Sequence, residues 1–191
     1  MFIPNQKRPS ALEAIERDTK AIGFSMASEF ATGTLLRALA ASRSSGAFLE
    51  LGTGSGISTA WLLDGMDSKS SLVTVDSEAR FVAIAQRHLA KDTRVKFHIE
   101  DGAAFLQKLN GAKFDLIFAD TWPGKFDHLE DALALLKIGG LYVVDDLLPQ
   151  PNWPNGHGAK VENLIVALEG RRDLVLCKMD WASGVIVAAK R

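Results

Sequence analysis

From Ala47 onward the chain alternates short apolar runs with segments of helical spacing, and this alternation restricts its fold more than any other feature. The runs occupy residues 47–51, 72–75, 95–99, 114–119 and 141–144, with helical patterns over 55–66, 78–90, 102–109 and 127–136 between them. Apolar runs of this kind read as strands covered on both faces, which calls for a parallel sheet with helices on each side. The tail departs from the pattern. A helix over 159–169, ended by Gly170, precedes two strand-like runs at 174–178 and 185–189. The connection between them is too short for a parallel crossover, so that pair must be antiparallel. Ahead of the sheet, Ser10-Ala-Leu-Glu13 has the form of a capping box opening a first helix, and 27–42 reads as a second. A length of 191 residues fits one domain.

The loop after the first strand carries most of the chemical information. Phe48-Leu-Glu-Leu-Gly-Thr-Gly-Ser-Gly-Ile-Ser58 runs from a strand into a helix with Gly52, Gly54 and Gly56 at alternate positions. Such a bend lets a ligand approach the backbone, and the free amides of the following helix favour an anionic group. A dinucleotide fingerprint would need glycine at position 57, where the chain has Ile57. Glu50 would repel a pyrophosphate but could pair with the ammonium of an amino acid. Asp76 ends the second strand, 20 residues after Gly56, where a carboxylate can accept from both hydroxyls of a ribose. The plain alternatives are a simple turn for the glycines and helix caps for the carboxylates.

Composition narrows the partners. Lys and Arg number 22 against 23 Asp and Glu, so no excess positive field exists to hold a nucleic acid backbone. Arg171-Arg172 reads as the end of a helix rather than a basic patch. No apolar stretch approaches a bilayer span, and residues 1–9 carry no signal-peptide pattern. The single cysteine, Cys177, lies among apolar neighbours and reads as a buried strand residue in a protein of the reducing cytoplasm.

Glu50-Leu-Gly-Thr-Gly-Ser-Gly56 closely resembles the first motif of class I S-adenosylmethionine (SAM)-dependent methyltransferases. The resemblance implies an α/β, Rossmann-like three-layer sandwich with a mostly parallel seven-stranded sheet and an antiparallel C-terminal strand. It also implies that the helices within residues 1–45 cover the site. By the same resemblance, SAM would be bound by Glu50, Gly52, Thr53, Gly54, Gly56, Ser58, Asp76, Ser77, Asp101, Gly102 and Asp120, with Asp101 on the adenine amino group. Phe81 and Phe105 are candidates to flank the adenine, with plain core packing as the alternative.

The second half is similar to the catechol and caffeoyl-coenzyme A O-methyltransferases, through Phe114-Asp-Leu-Ile-Phe-Ala-Asp120-Thr-Trp-Pro-Gly-Lys-Phe126 and Leu141-Tyr-Val-Val-Asp145-Asp146. That similarity implies O-methylation of a small molecule, with Asp120, Asp145 and Asp146 as ligands to Mg2+ or another divalent cation. Two positions depart from the family. Pro123 stands where a catalytic lysine is usual, leaving Lys125 as the candidate substitute and an exposed loop lysine as the plain alternative. Asp146 replaces the usual asparagine. In the Pro- and Gly-rich stretch 145–158, Trp153 and His157 are candidates to wall or serve an acceptor pocket, His157 as a base; a rigid surface loop is the alternative. Asp120, Lys125 and His157 are thus the candidate catalytic residues. His88, His98 and His128 read as structural. Met26, Ser28 and Glu29 are expected over the cofactor mouth, and exposed apolar residues of the first helices would support a homodimer. N- or C-methylation, aminopropyl transfer and non-catalytic cofactor binding remain open on the same fold.

Overall fold

The structure, a computed structural model, describes residues 7–109, 111–151 and 153–191; most of the segment read for a signal peptide lies outside them. Its elements run α1 (Leu12–Ala21), α2 (Phe30–Ala41), β1 (Ala47–Leu51), α3 (Ile57–Gly65), β2 (Ser71–Asp76), α4 (Ala79–Leu89), β3 (Val95–Ile99), α5 (Gly102–Lys108), β4 (Phe114–Ala119), α6 (Leu129–Ala134), β5 (Leu136–Val144), α7 (His157–Glu169), β6 (Leu174–Met179) and β7 (Val185–Lys190). The strands form one sheet in the order β3-β2-β1-β4-β5-β7-β6. The first five pair in parallel, and β7 runs antiparallel to both β5 and β6. This is the expected Rossmann-like sandwich.

Alternation along the central strands divides the core between the two faces of the sheet. Leu49, Leu51, Ile117, Tyr142 and Val144 pack with Leu106, Leu133, Leu164 and Leu168 of α5, α6 and α7. Phe48, Leu116, Phe118 and Val143 pack against Ile15, Leu36, Leu62, Leu63 and Ile84 of the first four helices. Strand order reverses between β2-β1 and β1-β4, and a cleft opens where the carboxyl ends of β1 and β4 diverge.

Several local expectations are corrected. The capping box does not form: α1 starts at Leu12 with Ala11 as an N-cap that makes no side-chain hydrogen bond. The turn is closed instead by the Leu12 amide donating to the Pro9 carbonyl. Helix α2 begins at Phe30 because Glu29 is extended. Helix α6 ends at Ala134, and β5 already begins at Leu136, with a register irregularity against β4 between Phe114 and Leu116. Cys177 is exposed, because β6 is the sheet edge and turns Val175 and Cys177 to solvent. Arg171 pairs with Glu130 and Asp173, tying the end of α7 to α6. Among the described residues no helix is long and apolar enough to cross a membrane.

Candidate functional site

A cavity of about 440 Å³ occupies the cleft. Its floor is the glycine loop from Gly52 to Ser55 with Ile57 and Ser58 of α3, and its rim includes Asp76 and Ser77. Residues 24–29 cover it, while the segments following β4 and β5 supply the opposite wall. Glu50, Gly56, Asp101 and Gly102 are not on this surface. Gly56 is the left-handed N-cap of α3, and a Cβ there would lie 2.6 Å from the Ala85 Cβ, so its role is close packing of α3 on α4. The Asp101 side chain caps α5 by accepting from the Ala104 amide at 2.9 Å. Phe105 is buried in the core, whereas Phe81 lines the cavity and stacks on Phe24 with centroids 4.2 Å apart.

Glu50 lies beneath the loop and is fully buried. One carboxylate oxygen, Oε2, accepts from Thr59 Oγ1 and Thr74 Oγ1, each at 2.6 Å; the other, Oε1, has no partner. Burial pushes this carboxyl up to about 7, against the opposing hydrogen bonds of Ser58, Thr59 and Thr74. Thr53 joins the same network through its hydroxyl, 2.6 Å from that of Thr74. Asp76 braces the loop, with Oδ2 accepting from the Gly54 amide at 2.8 Å and Oδ1 from the Glu78 amide at 2.9 Å.

Three acids stand at the ends of β4 and β5, and two of them face each other while the third turns away. Asp120 and Asp145 face each other; burial raises both carboxyls, and the charge of Asp120 raises Asp145 further. Ser28, from the covering segment, donates to Asp120 Oδ2 at 3.1 Å. Asp146 has a left-handed backbone and turns its carboxylate to the Trp153 indole N–H at 2.8 Å and to His157 Nε2 at 3.4 Å. Among the described residues no three His, Cys, Asp or Glu side chains converge as metal ligands. The expected Asp120, Asp145 and Asp146 trio is therefore not assembled, because the turn at Asp146 commits its side chain to Trp153 and His157.

Lys125 is not an exposed loop lysine. It is 3% exposed, and its ammonium donates to the Asp145 carbonyl at 2.7 Å. The loop is wound so tightly that the Trp122 carbonyl accepts from the amides of Lys125, Phe126 and Asp127. Gly124 permits this with φ +86°, and its carbonyl accepts from the buried Tyr142 hydroxyl at 2.7 Å. His157 opens α7 rather than sitting in a surface loop; it is buried between Phe126 and Trp153. Burial lowers its pKa, which favours the neutral imidazole. The three other histidines are structural: His88 pairs with Asp18 at 2.8 Å, His98 packs on Phe105, and His128 faces Asp131.

Sequence reasoning missed the threonines that hold Glu50 and the aromatic lining from Phe24, Trp122 and Phe126. Trp122 and Phe126 carried a usable signal, being bulky aromatics in a loop that leaves the carboxyl end of a parallel strand. Phe24 carried none. The assembled site combines a buried carboxylate with a spare acceptor, an internal ammonium, a neutral imidazole and aromatic walls. Such a site can hold a polar ligand that carries positive charge beside an acceptor whose proton can be removed.

A methyltransferase-domain family model matches residues 49–147. A Mycobacterium tuberculosis protein named "probable O-methyltransferase" is 34% identical over 119 residues, covering 60% of this chain and 53% of its own length. The chain thus spans about half the length of the curated relatives it matches. Among solved structures, the O-methyltransferase TomG from Streptomyces achromogenes, in complex with SAM, superposes with a TM-score of 0.84 at 24% identity, covering 99% of this chain and 92% of TomG. An O-methyltransferase from Bacillus cereus in complex with SAH gives 0.83 at 20% identity, covering 100% and 94%.

Proposed function

The chain belongs to the methyltransferase-domain family, and from that premise we propose that it transfers a methyl group from SAM to an oxygen of a small-molecule acceptor. One observation carries the reading. Of seven buried side-chain polar atoms without a hydrogen-bond partner among the described residues, three belong to Asp145 and His157, which line the cavity, and a fourth is Oε1 of Glu50, beneath the glycine loop that forms its floor. Leaving such atoms unpaired costs about 1–3 kcal/mol each, so their concentration around one cavity marks a place for polar ligand groups.

The residues fit SAM at the glycine-loop end. Glu50 Oε1 is a spare acceptor for the amino-acid ammonium, Asp76 offers a carboxylate for the ribose, and Phe81 offers a flat face for the base. The SAM and O-methyltransferase relatives support the choice of donor and of oxygen as the acceptor atom. Lys125 and His157 then serve the acceptor hydroxyl: the ammonium orients the oxygen and stabilises negative charge on it, and the neutral imidazole takes its proton. As the acceptor oxygen forms its bond to the methyl carbon, the carbon–sulfur bond of SAM breaks, sulfur keeps the electron pair, and the acceptor proton passes to His157. Asp146 is a positioning residue for the imidazole and for Trp153.

The cation implied by the catechol-type resemblance does not fit the side chains as arranged, since the Asp146 carboxylate accepts from Trp153 and, among the described residues, no three His, Cys, Asp or Glu side chains converge there. No step is routed through it. Calorimetry with SAM and with SAH tests the donor, and methyl transfer from labelled SAM to phenols and vicinal diols tests the acceptor. Binding of both nucleosides, weakened at least tenfold in Glu50→Gln, is expected. A folded protein that binds neither overturns the proposal.

A further inference from the structure

We propose that Phe24 gates the donor end of the cavity: its ring holds the place of the nucleoside base on Phe81, and SAM enters only when that ring swings outward. The inference rests on the SAM reading for the identity of the ligand, and it adds to that reading a residue that controls entry.

Three observations place the ring there. First, both faces of Phe81 are covered. Phe24 stacks on it with centroids 4.2 Å apart and planes inclined by 31°, and the Arg80 guanidinium lies over the same ring at 4.6 Å. Groups this close to one ring centre cannot share a face, so a base reaches Phe81 only by displacing one of them. Arg80 is exposed and lines no part of the main cavity, which leaves Phe24 in the base's way. Second, the Phe24 ring lies over the glycine loop. A Cβ at Gly54 would meet Phe24 Cε1 at 3.3 Å, and the Gly54 amide is the one that donates to Asp76 Oδ2. The ring thus stands beside the carboxylate offered to the ribose. Third, the stacked pair is a partition. Phe24 and Phe81 line both the main cavity and an outer hollow of about 330 Å³, whose further walls include Ile22, Gly23 and Arg80.

The side chain moves while its backbone stays. The Phe24 amide donates to the Thr19 carbonyl at 3.2 Å, which ties the residue to the end of α1. Rotation about the side chain's own bonds carries the ring from the main cavity toward the outer hollow. The chain that follows does little to oppose this. Among the described residues no backbone hydrogen bond involves residues 25–28, and the side-chain tie is Ser28 on Asp120. Opening breaks one aromatic stack, and a purine on the vacated face of Phe81 replaces it. The gate therefore lowers the apparent affinity for the nucleoside by the fraction of time it stands open, and slows entry in the same proportion.

Stopped-flow and calorimetric binding of SAH to the whole chain tests the gate. Phe24→Ala is expected to bind SAH about threefold or more faster and tighter than wild type, because no ring has to leave. Phe24→Tyr keeps the stack and should match wild type. If Phe24→Ala does not fold, Phe24→Leu removes the ring, keeps an apolar side chain and carries the same comparison. Fluorine NMR with fluorophenylalanine in place of Phe24 should show one ring environment without ligand and another with SAH, with loss of the nuclear Overhauser contact to Phe81. Wild type that binds SAH with this contact intact, or folded variants without the ring that bind no faster than wild type, overturns the gate and leaves the SAM reading standing. Binding by Phe24→Ala but not by wild type supports both. No binding by wild type or by any folded variant sinks the SAM reading, and the gate with it.

Discussion

Glu50 shows how one side chain can be costly to the empty fold and useful to the ligand. Its carboxyl has an ordinary value of 4.5 and is pushed up to about 7 in the folded protein. The native state therefore holds the proton more tightly than the unfolded chain. The resulting stabilisation is full below about 4.5 and is lost as pH rises through about 7, amounting to roughly 3 kcal/mol across that window. Urea unfolding at pH 5 and pH 8 should show this slope in ligand-free wild type and a flatter one in Glu50→Gln. The same variant should bind SAM at least tenfold more weakly, and an unchanged slope would remove Glu50 as its source. The existence of this acid was legible from its position before the glycines, but its partners were not. Thr59 and Thr74 lie 9 and 24 residues away and meet it only because α3 and β2 pack beside β1. Lys125 was a candidate from sequence with an exposed loop lysine as the alternative, and what decides between them was not legible, because the tyrosine that fixes its loop is on the next strand.

Among the elements, α1 does not cover the cavity but braces the loop that forms its floor. Thr19, itself buried, donates to the Ile15 carbonyl at 2.7 Å, and its Oγ1 lies 2.8 Å from Ser55 Oγ in the glycine loop. Asp18 on the same helix pairs with Arg87 and His88 of α4. Thr19→Val should leave the buried Ser55 hydroxyl without this partner, cost about 1–2 kcal/mol in chemical denaturation, and speed amide exchange in residues 52–56. Exchange confined to α1 would separate the helix from the loop. Gly56→Ala should cost on the order of 2–3 kcal/mol, since it adds a methyl group against Ala85 to a left-handed backbone. Elements with strong periodicity, such as α4 and β4, were readable from sequence to within a residue or two. Element ends were not. The Ser10 box lost to a backbone turn at Pro9, and α6 gave up its last residues to β5, whose pairing with β4 is a long-range gain that local spacing does not register.

At the scale of the molecule, the sheet closes on one side with the parallel edge β3 and on the other with β6. The β6 edge leaves Cys177 in solvent, so a thiol reagent should modify one equivalent in the native protein, at a rate little changed by urea. A thiol that reacts only on unfolding would contradict the edge placement. The antiparallel tail was legible from the brevity of the turn, yet the sequence did not say which of its two strands lies against β5. That strand is β7, which a ribosome makes after every other strand in the sheet. Until it emerges, the nascent chain carries an unmatched row of amides and carbonyls on β5 and has nowhere to dock β6. The parallel half can assemble before that point, while the acceptor side, which leans on Ser183 and β5, must wait until β7 has been made.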